Sequence, residues 1–482
     1  MSNEAIAPAT FIREYTRELH NKNAAVFAGA GLSMDSGYVD WKGLLRDFIE
    51  DLELNPDTET DLVTIAQFHC NQVGGKGALT QRIFDEFSKT KAPTENHRIL
   101  SRLPIQSYWT TNYDKLIETA LVEAKKVPDI KYTMKHLAVT RLDRDVAVYK
   151  MHGDIEHPAE AIISKDDYEG YSDKMSAYVA ALRGDLIERT FLFLGLSFTD
   201  PNLDFILSRV RVLYEGHQRH HYSIQKRVSK WTDESDEEFR FRELKQHYFI
   251  KDLKRFGIQT VLVDEYADIT SLLNEVATRF HRQSIFISGA AHDFGTWSQS
   301  PTESFLHALS YTLSRSGCRI VTGFGLGIGG PIINGALAWL NDEGKTISDE
   351  DIVMRPFPQV ATGGASLADQ WKAYREQMLN QAGIVVFVFG NKLDPAGNVI
   401  PSNGMRQEFE IAVEAGLVPI PIGATGFMAE ELWKEVSADL MKFIPSANAE
   451  FEKDFTRLGD ASLSPDDLLP TISKLINYLQ KN

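Results

Sequence analysis

The sequence predicts an α/β protein built from two Rossmann-like, doubly wound domains, the first carrying an inserted helical module. Three observations predict it. Short β-branched or aromatic runs alternate with longer amphipathic stretches, which is the pattern of a parallel sheet flanked by helices. The series runs to about residue 280 and then restarts, and each half opens on a strand, a glycine turn and a helix. The length of 482 residues suits two or three domains at roughly 150 residues each. We place the boundary between two domains at 283/284, giving 1–283 and 284–482.

In chain order, strands are expected at 24–28, 106–110, 147–151, 190–194 and 259–263, followed by a helix at 268–280. The second series is 284–288, 319–322, 352–356, 384–389 and 418–422, closed by a helix at 465–479. Runs such as Ala24-Ala25-Val26-Phe27-Ala28 are apolar throughout, as strands buried on both faces must be. Residues 41–100 are too many for one crossover and read as a helical insertion containing the loop Gly74-Gly75-Lys76-Gly77. The acidic run 233–238 reads as a solvated helix start, where carboxylates suit the dipole.

Composition narrows the function. Hydrophobic residues at 43% and charged residues at 24% fit a chain that buries a core. With 51 Lys+Arg against 67 Asp+Glu, the net charge of −16 repels polyanions, so neither nucleic acid nor an anionic membrane is the expected partner. An anionic small molecule held by backbone amides remains compatible. Two cysteines, Cys70 and Cys318, make neither a disulfide framework nor a four-thiolate zinc site, and no metal is expected. The first ten residues lack the basic and apolar stretches of a signal peptide. Apolar runs such as 190–198 fall short of the ~18 residues of a spanning helix. The chain reads as soluble and cytoplasmic.

Chemistry-bearing residues collect at strand ends. Strand 24–28 runs into Gly29-Ala30-Gly31-Leu32-Ser33-Met34-Asp35-Ser36-Gly37, where a glycine turn lets backbone amides approach a pyrophosphate at the next helix start. Such turns also serve strand–helix packing, and the spacing is not that of a dehydrogenase fingerprint. Thr110-Thr111-Asn112-Tyr113-Asp114, Lys150-Met151-His152-Gly153-Asp154 and Gly195-Leu196-Ser197-Phe198-Thr199-Asp200-Pro201-Asn202 follow the next three strands. Each lies at a carboxyl end, where open α/β sheets bind ligands. His152 is a candidate general base, although a histidine before Gly-Asp also serves as a turn residue. His217, His220 and His221 lack an accompanying carboxylate motif and read as surface residues; His69-Cys70 reads as core.

This set of motifs resembles the sirtuin fold, in its bacterial defence branch, over most of residues 10–280. The resemblance implies NAD+ as substrate. By position it implies that Ala30, Gly31 and Ser33 line the pyrophosphate, that Asp35 also binds NAD+, and that Asn112 and Asp114 hold the nicotinamide ribose. His152 would be the base, with Asn112 catalytic beside it and Gly195 and Ser197 completing the NAD+ site. Two departures stand out. The Cys-x-x-Cys pairs of sirtuin deacylases are missing, and Tyr38-Val39-Asp40-Trp41-Lys42 replaces the usual Ile-Pro-x-Phe-Arg. Water as acceptor fits this better than an acyl-lysine.

In the second half, strand 284–288 ends at Ser288 and leads into Gly289-Ala290-Ala291, and Gly323-Phe324-Gly325-Leu326-Gly327-Ile328-Gly329-Gly330 follows the next strand. Clustered glycines expose amide donors, as an anion site requires, or simply allow tight turns. Lys372 and Arg375 lie on one expected helix face, Lys392 follows strand 384–389, and Arg406 and Glu408 follow Asn403-Gly404. Each charge alone suits solvent; together they suggest a phosphate clamp with Glu408 reading a ribose hydroxyl. This half resembles the SLOG superfamily. Its Pro-Gly-Gly-x-Gly-Thr-x-x-Glu motif is replaced here by Pro401-Ser402-Asn403-Gly404-Met405-Arg406-Gln407-Glu408, which favours binding over hydrolysis.

Joined, the halves resemble the sirtuin–SLOG effectors of Thoeris anti-phage defence. That resemblance implies an NAD+ hydrolase activated by a cyclic ADP-ribose isomer supplied by a TIR-domain protein. It further implies a homo-oligomer, tetrameric with higher assembly on activation. Ser288, Gly289, Ala290, Gly325, Gly327, Arg375, Lys392, Gly404 and Glu408 would bind the effector. An NAD-dependent protein deacylase and a non-catalytic NAD-sensing module are the alternatives.

Overall fold

The computed structural model describes residues 4–214, 218–358, 360, 364 and 366–481. The chain divides into two compact units, Met1–Ala277 and Thr278–Asn482.

The first unit contains β1 (Ala24–Ala28), β2 (Ser107–Thr110), β3 (Pro128–Lys131), β4 (Val146–Lys150), β5 (Thr190–Leu194), β6 (His221–Lys226) and β7 (Ile258–Val263). They form one parallel sheet in the order β3-β4-β2-β1-β5-β6-β7. Val26 pairs in register with Tyr108 on one side and Leu192 on the other. All five residues of β1 and of β5 are buried, which is why both read as unbroken apolar runs. The winding reverses between β1 and β5, so the crevice at their carboxyl ends is the topological switch point.

Between β1 and β2 lie the helices Trp41–Asp51, Leu62–Val73, Gly77–Phe87 and Glu95–Arg102. Leu45, Ile49, Ile65, Leu79 and Ile83 share a small core with Tyr113, Ile155 and Ile163 from the loops after β2 and β4. The expected insertion is therefore packed onto the carboxyl edge of the sheet. Its glycine loop is anchored by Lys76, whose Nζ donates to Ala161 O at 3.1 Å and pairs with Asp167 at 3.0 Å.

Two strands were not expected. β3 is a four-residue edge strand beginning Pro-Asp, with little apolar signal to read. β6 contains His221, which the spacing assigns to the surface; instead it is 1% exposed. Its Nδ1 accepts the Phe191 backbone N–H at 3.1 Å, and burial pushes the imidazole down to about 3. His220 is exposed, and His217 lies outside the described residues. His69 and Cys70 are buried in the helical insertion. The helix after the acidic run starts at Asp236, capped reciprocally by Ser235 and Glu238.

The second unit contains β8 (Ser284–Ala290), β9 (Arg319–Thr322), β10 (Ile352–Met354), β11 (Ile384–Phe389), β12 (Asn391–Leu393), β13 (Val399–Pro401) and β14 (Val418–Pro421). A parallel sheet runs β10-β9-β8-β11-β14, and β12 and β13 form an antiparallel hairpin that the sequence pattern did not announce. Here the reversal falls between β8 and β11. Among the described residues no helix is long and apolar enough to cross a membrane.

Candidate active site

At the β1/β5 crevice the chain passes closer to itself than side chains would allow. Gly29 N donates to Leu194 O and Gly31 N to Gly195 O, each at 2.9 Å. Gly195 has φ +64°, and a Cβ there would sit 2.2 Å from Leu32 N. Only glycine supports this approach. It fixes the loop Gly29–Ser33 at the rim of a cavity of about 330 Å³, a size in the range of small-molecule sites.

The loop after β2 docks onto that rim. Asn112, 8% exposed, donates from Nδ2 to Gly29 O and to Ser33 Oγ, both at 3.1 Å. Ser33 Oγ in turn donates to Asp114 Oδ2 at 2.8 Å. Asn112 lines the cavity with its amide nitrogen engaged in these two bonds. Beneath them Lys150 is fully buried and donates to Tyr113 O at 3.1 Å, to Asp114 O at 2.6 Å and to Glu118 Oε1 at 3.1 Å, and it also pairs with Asp154. Burial disfavours its charge, but Glu118, Asp154 and Asp114 outweigh that and hold Lys150 above its ordinary value. Lys150 thus clamps the loop that carries Asn112.

His152 reaches the cavity from the loop after β4. Its Nε2 lies 3.0 Å from Asp200 Oδ2, with the N–H direction off the line of an ideal hydrogen bond. Tyr168 stands edge-on to the imidazole, with ring centroids 5.4 Å apart and an interplanar angle of 77°. Tyr168 OH donates to Asp200 Oδ2 at 3.2 Å, and Leu203 N donates to Asp200 Oδ1 at 2.8 Å. Burial raises the Asp200 carboxyl, yet His152 and these hydrogen bonds prevail and leave it below the ordinary carboxylate range.

Of the residues singled out in this half, Ala30, Gly31, Ser33, Asn112, Asp114, His152, Gly195 and Ser197 line the one cavity. Asp35 does not. It is exposed in the 3₁₀ turn Met34–Ser36, and the cavity is lined by its neighbours Ser33 and Met34 instead. Sequence reasoning missed Tyr168, Asp200, Trp41 and Met34 as lining residues. Asp200 carried a signal, an acid directly before Pro201 at a helix start, which reads as an N-cap. Tyr168 carried none.

In the second unit the switch point is equally tight. A Cβ on Gly325 would lie 1.8 Å from Gly289 O, which seats the glycine loop after β9 against the end of β8. Ser288, 2% exposed, donates from Oγ to Glu408 Oε2 at 2.6 Å. Arg375 donates from Nε to Glu408 Oε1 at 3.3 Å and from an Nη to Gln407 Oε1 at 3.0 Å. Burial pushes the Glu408 carboxyl up despite those partners. A Cβ on Gly404 would sit 2.9 Å from the Arg375 guanidinium. Ser288, Arg375, Gly404 and Glu408 therefore converge, Gly289 and Ala290 end β8 beside them, Gly327 is exposed on the glycine loop, and Lys392 is exposed on the hairpin. Arg375 and Glu408 hold each other here. Asn391 was missed: it is 1% exposed, and its Oδ1 accepts from His292 N and Asp293 N at 2.9 Å each.

Comparison with known proteins agrees with this division. Residues 106–252 match the SIR2-like domain, and residues 268–479 match the Sir2- and TIR-associating SLOG family. The chain is 46% identical over 470 residues to the NAD(+) hydrolase ThsA of Bacillus cereus (strain MSX-D12), covering 97% of this chain and 98% of that one. It is 44% identical over 473 residues to the NAD(+) hydrolase ThsA of Acinetobacter baumannii (strain 532279), with the same coverages. Defense-associated sirtuin 2 of Bacillus subtilis is 28% identical over 217 residues, 42% of this chain and 20% of that one. By identity and nearly full-length coverage, this chain belongs to the ThsA family of sirtuin-like, SLOG-containing proteins.

Proposed function

We propose that the chain hydrolyses NAD+ to nicotinamide and ADP-ribose in the cavity of the first unit. The second unit is proposed to bind a cyclic ADP-ribose isomer, supplied by a TIR-domain protein, that switches the activity on. Consumption of cellular NAD+ would then serve anti-phage defence in the cytoplasm, by a homotetramer that assembles further on activation. The observation that carries the reading is the convergence of His152 and Asn112 on one cavity that the glycine loop also lines through Ala30, Gly31 and Ser33. The names of the full-length relatives support it.

The chemistry follows from the residues. Breaking the nicotinamide–ribose bond leaves an oxocarbenium-like sugar, which the Asn112 carbonyl oxygen can stabilise and a held water can capture. His152 can accept the proton from that water or from a ribose hydroxyl, typically worth about 10²–10⁴-fold. The glycine loop, which brings Ala30, Gly31 and Ser33 to the cavity wall, is where the pyrophosphate would lie, its close backbone approach leaving room for the phosphates. The buried Ser33–Asp114 pair holds the loops in register around it.

Nicotinamide release, measured with and without candidate cyclic ADP-ribose isomers, tests both halves of the proposal. Asn112→Ala and His152→Ala should each abolish release with the circular dichroism spectrum unchanged. Either variant turning over near the wild-type rate would remove that residue from catalysis. An O-acyl-ADP-ribose product from an acyl-lysine peptide would favour the deacylase alternative instead.

A further inference from the structure

We propose that Asp200 is a positioning residue for His152. Its carboxylate takes the imidazole Nε2–H, leaves Nδ1 as the ring's acceptor, and stabilises the imidazolium formed when Nδ1 takes a proton. This rests on the reading of His152 as the base.

The geometry is specific. Asp200 precedes the helix Pro201–Tyr214 and would serve as an N-cap wherever it stood in the fold, since Leu203 N donates to its Oδ1 at 2.8 Å. A cap needs only that one oxygen. The other, Oδ2, faces away from the helix to Tyr168 OH at 3.2 Å and His152 Nε2 at 3.0 Å. The carboxylate is thus held from three sides by groups on three separate segments. Its side chain is 10% exposed and that of His152 is 5% exposed, so little water competes for the contact. The helix N-terminus adds positive potential that keeps the acid ionised. Tyr168 contributes twice, fixing Oδ2 through its hydroxyl and packing its ring edge-on against the imidazole.

An ionised, immobile carboxylate against one nitrogen of a histidine selects a tautomer and lowers the energy of the charged ring. The nonideal N–H direction is what an unliganded site commonly has before substrate tightens it. The proton balance is simple. Nδ1 receives the proton from the attacking water or ribose hydroxyl, and the Nε2 proton stays on the ring.

Asp200→Asn is the discriminating variant, because asparagine caps a helix as well as aspartate does but carries no charge. In the full-length protein we expect kcat for nicotinamide release to fall on the order of 10²–10³-fold, with KM changed by less than about threefold. Asp200→Glu should recover part of the loss. In ¹⁵N-histidine spectra, the His152 ring, assigned by its disappearance in His152→Ala, should be the Nε2–H tautomer in the wild type and a mixture in Asp200→Asn. Turnover within about twofold of wild type, or an unchanged tautomer, would overturn the proposal. A wild type lacking the Nε2–H tautomer would do so as well, even if the variant did not fold. By contrast, a wild type that releases no nicotinamide, or a His152→Ala variant that still does, would sink the functional reading. The tautomer would still decide the positioning role.

Discussion

Replacing Gly195 by alanine should inactivate the site while leaving the unit folded. The added Cβ would stand 2.2 Å from Leu32 N and 2.7 Å from Gly31 C. Reaching ordinary van der Waals separation requires the Gly29–Ser33 loop to withdraw by about 1.3–1.8 Å. At φ +64° an alanine also carries a left-handed strain of about 1–2 kcal/mol. Withdrawal weakens the hydrogen bond from Gly31 N to Gly195 O, now 2.9 Å, worth about 0.5–1.5 kcal/mol net. The local loss is thus about 1.5–3.5 kcal/mol. It falls on a loop at the open edge of the sheet, outside the fully buried β1 and β5. Stability should drop by a few degrees, whereas a 1 Å misplacement of positioning groups can reduce turnover about 10²-fold. Gly184→Ala is the control, since a Cβ there meets nothing within 4 Å. Nicotinamide release, NAD+ affinity by calorimetry and a thermal melt on both variants make the comparison. A folded Gly195→Ala protein with NAD+ affinity and turnover within about twofold of wild type would refute the argument.

His221 should make stability fall in acid. Its folded pKa is about 3 against about 6.5 unfolded, so between those values the unfolded state binds more protons. The contribution is complete above about pH 6.5 and is lost progressively as pH falls towards 3, by roughly 5 kcal/mol in total. His221→Gln should flatten the denaturant-derived stability across that window; an unchanged slope would count against it. In the second unit, Arg375→Ala and Lys392→Ala should each raise the activating concentration of a cyclic ADP-ribose isomer about ten- to a hundredfold. Turnover should recover at saturation. Arg375→Ala should also lower the melting temperature because it strands buried Glu408, whereas exposed Lys392 should not. Unchanged effector affinity with lost turnover would remove both from an effector site. Finally, NAD+ cleavage should survive a strong chelator, and stoichiometric zinc in the purified protein would contradict that expectation.

Sequence alone determined the alternation of strands and helices, the helical insertion, and the strand ends where chemistry collects. These are local properties. An apolar run with no polar break can only be a strand or helix buried on all sides, and a glycine such as Gly195 or Gly325 marks a place where backbone must meet backbone. Tertiary structure decided which distant segments meet. Asp200 looks like an ordinary cap until the winding brings it 3.0 Å from His152, 48 positions earlier. Lys150 reads as a charge beside a motif until it is found fully buried under the Asn112 loop. Asp35 belongs to the Gly29–Gly37 run beside Ser33 and Met34, yet unlike them it falls outside the cavity, exposed in a 3₁₀ turn. His221 reads as surface because its spacing with His217 and His220 lacks a carboxylate motif, but in the fold Phe191 and Phe193 pack edge-on against its ring and the Phe191 N–H donates to its Nδ1. Polar residues carry little periodic signal, and their burial depends on partners contributed by other elements, so only the folded chain reveals it.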